Sequence, residues 1–211
     1  MAVSTAERVE TESPKRQAIL NAAETLFIAQ GYGPVSMEVV AREANVSKAT
    51  LYAHFESKAR LFATIVTETC QAKFNWHEIV SDIALQPRDA LMLMGRRALR
   101  FVLEERALAI HRIVIAESLR FPEIGQAFFD GACRTLRQRF GTWLMCETQA
   151  GRLRVADPAL AADQWISLLR SGAHFRAILG VPPPPSEAEI ENTVAAAVDV
   201  FLAAYGVAGR S

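Results

Sequence analysis

No uninterrupted apolar stretch of this chain is long enough to cross a bilayer, and no apolar run near its start has the form of a secretion signal. The sequence therefore predicts neither a membrane span nor a leader. Cysteine is scarce: Cys70, Cys133 and Cys146 are odd in number and lack metal-ligand spacing. That argues against a disulfide framework or a zinc site and suits a reducing cytoplasm. Buried or idle thiols are the ordinary reading, with a redox sensor as the alternative. The four histidines (His54, His77, His111 and His174) lie far apart, without a clustered His, Cys or carboxylate set. A Gly-rich phosphate loop and a serine–histidine–aspartate pattern are missing too. The expectation is a protein that is not an enzyme and uses no metal or cofactor.

Net charge is also lacking, since 23 Lys and Arg balance 23 Asp and Glu. Whole-chain charge is a poor test for a nucleic-acid partner, because only the field at the contact surface counts. Between Ser13 and Arg60, six basic residues (Lys15, Arg16, Arg42, Lys48, Lys58, Arg60) stand against four acidic ones (Glu24, Glu38, Glu43, Glu56). So small a surplus leaves geometry and dimerisation to supply much of any DNA affinity.

What the chain does have is apolar residues at helical spacing. Of its 211 residues 51% are hydrophobic, enough for one large or two modest cores. Residues 1–12 are polar and aperiodic, the pattern of a flexible arm. Ser13-Pro14 starts a helix with the stripe Ile19, Ala22, Ala23, Leu26 and Phe27. A fourth helix runs from Ser57 through Cys70, towards His77. Pro87 opens the next, another covers Leu108 to Leu119, and a longer one Glu123 to Gln149. Asp157-Pro158 starts a helix that continues through Leu179. Ser186 caps the last, with Glu187 and Glu189 in its first turn, ending near Tyr205. The pattern predicts an all-α chain of about nine helices.

The segment from Ser36 to Leu61 is the most informative. Ser36 can cap a short helix with Val39, Val40 and Ala44 on its apolar face. Asn45 falls where the backbone must turn with positive φ, which Asn tolerates. Ser47 then caps a second helix, on which Leu51 and Phe55 share the buried face. Lys48, Ala49, Thr50, Tyr52 and His54 are left outward, as a major-groove reader needs. Apolar spacing alone would fit any helical hairpin. The whole string, with Gly31-Tyr32, Ser36-Met37, Ala41, Leu51-Tyr52-Ala53-His54-Phe55, Ser57-Lys58 and Leu61-Phe62, resembles the DNA-binding domain of the TetR family of bacterial transcriptional regulators. It departs from the family's pattern at Asn45, where Gly is usual, and at Ala59-Arg60, where an acidic residue is favoured. Further on, His111 to Glu117 and Arg120 to Glu123 resemble the AefR-like subgroup of that family.

The resemblance implies a three-helix helix-turn-helix domain over 13–60 and a larger helical effector-binding and dimerisation domain over 61–211. On the DNA side, Lys48 and Thr50 are the candidates for base edges and Ala49 for a thymine methyl. Tyr52, His54, Ser36, Ser47 and Lys58 are candidates for phosphates. Pocket candidates are Phe62, Val66, Phe74, Trp76, Met92, Phe101, His111, Ile115, Phe121, Trp143 and Phe175, each equally at home in a plain core. Such Met and aromatic lining suits a hydrophobic effector, whereas Arg97, Arg112 or His111 facing the cavity would suit an anionic one. The last two helices are apolar on more than one face. On that ground Trp165, Leu168, Leu169, Gly172, Val194, Val198 and Phe201 are the candidates for a homodimer interface. The function expected is a ligand-responsive repressor in the cytoplasm, at the bacterial nucleoid. It would bind a palindromic operator in double-stranded DNA as a homodimer and leave it on binding a small hydrophobic effector. The alternatives are an effector-free or partner-controlled DNA-binding protein, and activation in place of repression.

Overall fold

The computed structural model describes residues 13–73 and 85–207, so the expected arm at 1–12, Phe74, Trp76 and His77 lie outside the described residues. Among the described residues ten helices follow one another: α1 (Pro14–Gln30), α2 (Met37–Glu43), α3 (Lys48–His54), α4 (Lys58–Lys73), α5 (Pro87–Leu103) and α6 (Glu105–Glu117) come first. The run α7 begins as an α-helix over Pro122–Phe128, widens into a π-helical turn at Phe129–Arg134, and resumes over Thr135–Gln149. After it come α8 (Pro158–Leu169), α9 (Gly172–Ile178) and α10 (Glu187–Tyr205). Among the described residues there is no strand, only a lone antiparallel bridge between Leu153 and Gly206. The chain divides into two compact units between Ile65 and Val66, within α4.

Helix starts follow local chemistry. Ser36, Ser47 and Ser186 each accept a backbone N–H from the first turn of α2, α3 and α10, and Asp157 accepts two at the start of α8. Ser13 occupies the position before α1, but its side chain makes no capping bond, and Pro14 alone marks that start. One expected helix is two. The run from Pro158 to Leu179 breaks at Arg170-Ser171, where ψ reaches 33° and −151° in turn. A Ser-Gly pair is a common place for such a break, because neither residue favours the helix interior. This break accounts for the tenth helix.

The first unit is knit by three rings. Phe27, Tyr32 and Phe62 approach one another at centroid distances of 5.5 to 5.7 Å, mostly edge to face. Ile19, Val40, Leu51 and Phe55 complete the core under α2 and α3.

The second unit is built around α5 and α10, which run antiparallel. Ion pairs fix their register: Arg88 with Asp199, Arg96 with Glu191 at 2.7 Å, and Arg100 with Glu187 at 2.8 Å. Between these charges the helices meet at Gly95, where a Cβ would lie 2.7 Å from Val194 and 3.2 Å from the Trp165 ring. Phe140 stacks on Trp143 at 5.4 Å and on Trp165 at 5.8 Å, and Phe201 meets Trp165 edge-on.

This packing corrects most of the expected dimer set. Trp165, Leu169, Val194, Val198 and Phe201 are each at most 3% exposed, within the chain's own core. The α8 and α10 faces that carry them are turned onto α5, so they have no surface left for a second copy. Leu168 is half-buried at the core's edge, and Gly172 is exposed. Gly95→Val should lower stability by about 1–3 kcal/mol through overpacking, read as a fall in the thermal midpoint. An unchanged midpoint would mean that α5 and α10 do not cross this closely.

Candidate functional site

The turn between α2 and α3 is drawn as the residues dictate. Asn45 has φ 52°, the sole positive value at a non-glycine among the described residues. The turn is closed by Val46 N–H donating to Ala41 O at 3.0 Å. It leaves the first turn of α3 open to solvent, with Lys48 and Ala49 exposed and Thr50 half-buried. Lys48 pairs with Glu38 of α2 at 2.5 Å, and its ammonium also stands 5.8 Å from the Tyr52 ring centre. That hydrogen bond comes first among the causes holding the Glu38 carboxyl below its ordinary value and the Lys48 amine above its own. The Thr50 hydroxyl lies 2.8 Å from Ser47 Oγ. Tyr52 and His54 are exposed on the same short helix. The hydroxyls of Ser36 and Ser47 accept in their caps, from Val39 N–H and Thr50 N–H.

Lys58 stands apart from the other expected phosphate contacts. Its Nζ donates to Tyr32 O at 2.8 Å, Val35 O at 3.0 Å and Gly33 O at 3.1 Å, and it sits 4.2 Å from the Tyr32 ring centre. An ammonium has three N–H donors, and three carbonyls take them. The side chain ties the α1–α2 turn to the start of α4 and is not held out towards a phosphate.

The second unit contains a cavity of about 430 Å³ between α4, α5, α6, α7, α8 and α9. Its wall is mainly apolar, including Val66, Phe101, Val102, Ile110, Phe128 and Leu136. The π-helical turn forms one side. There Gly131 backs onto α4 so closely that a Cβ would lie 2.6 Å from Thr67 Oγ1. Of the expected pocket residues, the structure brings Val66, Phe101 and His111 to this cavity. Phe62 and Trp143 are core residues, in the two aromatic clusters described above. Met92 packs against the second core. Ile115 and Phe175 are turned to solvent, at 56% and 64% exposure. Phe121 lies beneath the Arg120 guanidinium, 5.2 Å away, outside the lining. Phe74 and Trp76 lie outside the described residues.

Arg170, His111 and His174 form one polar cluster in the cavity wall. Arg170 Nη2 lies 3.1 Å from Nε2 and 3.3 Å from Nδ1 of His111. His111 stacks on Phe128 at 5.1 Å and faces His174 at 5.6 Å. Burial, and after it the Arg170 charge, pulls both imidazoles down to about 4; His174 also contributes to the shift of His111. Burial pushes the Cys133 thiol up, which makes this cavity-wall cysteine a poor nucleophile. Arg170 and His174 were absent from the sequence-based candidates. No local signal pairs them, because the helix breaks between Arg170 and His174 and only the fold brings both to His111.

Outside, α8 and α10 leave a shallow groove lined by Gln164, Ser167, Leu168, Thr193, Ala196 and Val200. Leu160 and Val200 are half exposed along it or beside it. Among the described residues no group of His, Cys, Asp and Glu is placed to hold a metal ion. No described helix is long and apolar enough to cross a membrane.

Known proteins resemble the chain along its whole described length. Residues 19–65 match the family described as bacterial regulatory proteins, tetR family, and residues 89–207 match the AefR-like transcriptional repressor C-terminal domain. A solved structure from Mesorhizobium loti MAFF303099, described as a TetR-family transcriptional regulator, is 31% identical. It superposes with a TM-score of 0.79 over 92% of this chain and 97% of its own. The flavonoid-responsive regulator FrrA is 30% identical, with a TM-score of 0.76 over 92% of this chain and 98% of its own. YhgD of Bacillus subtilis strain 168, an uncharacterised HTH-type transcriptional regulator, is 27% identical over 73% of this chain and 80% of its own length.

Two outcomes follow from this geometry. Lys58→Ala should destabilise the first unit by about 1–3 kcal/mol, since three carbonyls lose a charged donor. Wild-type melting with a merely shallower salt dependence of DNA binding would return Lys58 to the phosphates. The histidines set a pH window. With folded values of about 4 against 6.5 in the unfolded chain, only the unfolded chain takes up these protons as pH falls below 6.5. Stability should therefore decline between pH 6.5 and about 4 and level off below. The double variant His111→Gln with His174→Gln should flatten that decline in urea titrations across the range.

Proposed function

The chain belongs to the TetR family of bacterial transcriptional regulators, and from that premise we propose that this DNA-binding regulator is a ligand-released repressor acting as a homodimer on a palindromic operator. The cavity in the second unit carries the proposal. Its volume of about 430 Å³ lies within the range of small-molecule sites, and its wall is mostly apolar with polar groups that include His111, Arg170 and His174. The AefR-like match is to a repressor domain, and a relative of 30% identity is named for its response to flavonoids. The first favours repression, the second a flat aromatic effector. A ligand releases DNA only by binding the released conformation more tightly than the bound one, so occupancy alone is not enough.

On the DNA, α3 enters the major groove. Lys48 leaves or shares its exposed pair with Glu38 to reach base edges, while Thr50 and Ala49 read beside it. Tyr52, His54 and the hydroxyls of Ser36 and Ser47 hold phosphates. The second copy docks on the outward groove of α8 and α10, around Leu168, Ala196 and Val200, in place of the buried residues first expected there. The setting is the cytoplasm, where the operator lies.

Selection of genomic fragments with the purified protein, followed by gel shift with and without flavonoids and other aromatic compounds, tests the reading. A bound palindrome released by one compound class is the expected result. A palindrome that nothing releases would favour a partner-controlled regulator. Lys48→Ala and Thr50→Ala should each lose about tenfold to a hundredfold at particular base pairs and little elsewhere. Equal loss on every sequence would contradict base reading. Val200→Glu should give a monomer by sedimentation with poor operator affinity; a persistent dimer would move the interface elsewhere.

A further inference from the structure

We propose that the cavity takes its ligand as an anion, an apolar body bearing one carboxylate that pairs with the Arg170 guanidinium. This rests on the reading of the cavity as the effector site and names the chemistry that site selects. The charge of the wall is lopsided, with Arg134, Arg137, Arg139 and Arg170 against Asp163 alone. Most of that surplus is already accounted for. Arg134 pairs with Asp130 at 2.8 Å, Arg137 pairs with Asp163 at 3.2 Å, and Arg139 is exposed.

Arg170 is different. It is half-buried at the broken end of α8, and among the described residues no carboxylate lies within ion-pair distance of it. Its hydrogen-bond partner is an imidazole held neutral, and the neighbouring His174 is neutral as well. Neither ring offsets its charge. A guanidinium withdrawn from water beside neutral groups is costly, and a carboxylate recovers that cost through two parallel charge-assisted bonds.

The place is prepared in advance. Arg112 Nε donates to Ile178 O at 2.9 Å and its Nη2 to Ala177 O at 2.7 Å, which ties α6, carrying His111, to the end of α9, carrying His174. The Phe128 ring, stacked on His111, adds apolar surface to the same cavity wall. One uncommitted guanidinium suits one carboxylate. A phosphate dianion would call for further donors, and Arg134 and Arg137 already face Asp130 and Asp163. A cationic ligand would meet the same surplus as repulsion.

Isothermal titration of the full-length protein decides the matter, using naphthoates, cinnamates and medium-chain fatty acids, each beside its own carboxamide. The acid and amide share shape and differ in charge. Wild type should bind at least one acid about tenfold or more tightly than its amide. Arg170→Met should erase that preference while still binding the amide, and Arg170→Lys should restore part of it. Equal binding of acid and amide by wild type, or a preference that survives Arg170→Met, would overturn the proposal and leave the effector cavity standing. Amides binding alone would do the same. If neither acids nor amides bind at all, this inference falls, and the gel shift with flavonoids decides the effector reading separately. The wild-type comparison of acid with amide stands even if the Met variant fails to fold.

Discussion

Three carbonyls at the end of α1 need donors, and one ammonium serves them all. The peptide groups of Tyr32, Gly33 and Val35 turn the chain from α1 towards α2, and Lys58 gathers their oxygens under its charge. The arrangement reaches further than the turn. Tyr32 supports the ammonium with its ring and is itself the middle of the Phe27–Tyr32–Phe62 cluster. Val35 is followed at once by Ser36, the cap of α2, so the place where α2 begins is set by the same contact. The α2–α3 turn at Asn45 then aims α3. The placement of α3 thus depends on a lysine whose ammonium is bound to the backbone of its own unit.

The second unit obeys a similar economy with different chemistry. Close packing at Gly95 lets α5 and α10 meet, and the ion pairs at their edges keep them from sliding. With α8 drawn onto the same core by Trp165 and Leu169, the helix breaks after Leu169, and Arg170 is released to the cavity side. The stable core and the polar corner of the cavity therefore come from neighbouring residues of one helix. Packing energy that holds Trp165 also positions the guanidinium one turn later.

Much of this was legible in the chain because it is local. Caps at Ser36, Ser47 and Ser186, the positive φ of Asn45, and the proline starts of α5 and α8 involve residues a few positions apart. Contacts between distant segments were not legible. Lys58 resembled a phosphate ligand, and only the fold brings Tyr32, Gly33 and Val35 under it. Trp165, Val194 and Phe201 were apolar for a reason the spacing could not identify. Periodicity says that a face is covered without saying whether its own chain or a second copy covers it. The cavity shows the same limit: Val66, Phe101 and His111 were on the sequence-based candidate set, whereas Phe62 and Trp143, equally apolar, fill cores. Arg170 and His174 escaped notice because a helix break separates them, and the regular pattern was read straight through it.

The π-helical turn at Phe129–Arg134 gives α7 an unusual tolerance of length. Such a turn accommodates about one residue more than the α-helix it interrupts. Elsewhere in α7, losing one residue would rotate everything beyond it by about 100° and carry Leu136 and Arg137 away from the cavity. Inside the turn, the same loss would tighten the backbone to an ordinary helix and leave both flanks in phase. The turn is thus the natural site for lineages of this domain to gain or drop a single codon. Such a change would re-cut the cavity wall beside Phe129 and Cys133 while the rest of the helix kept its register.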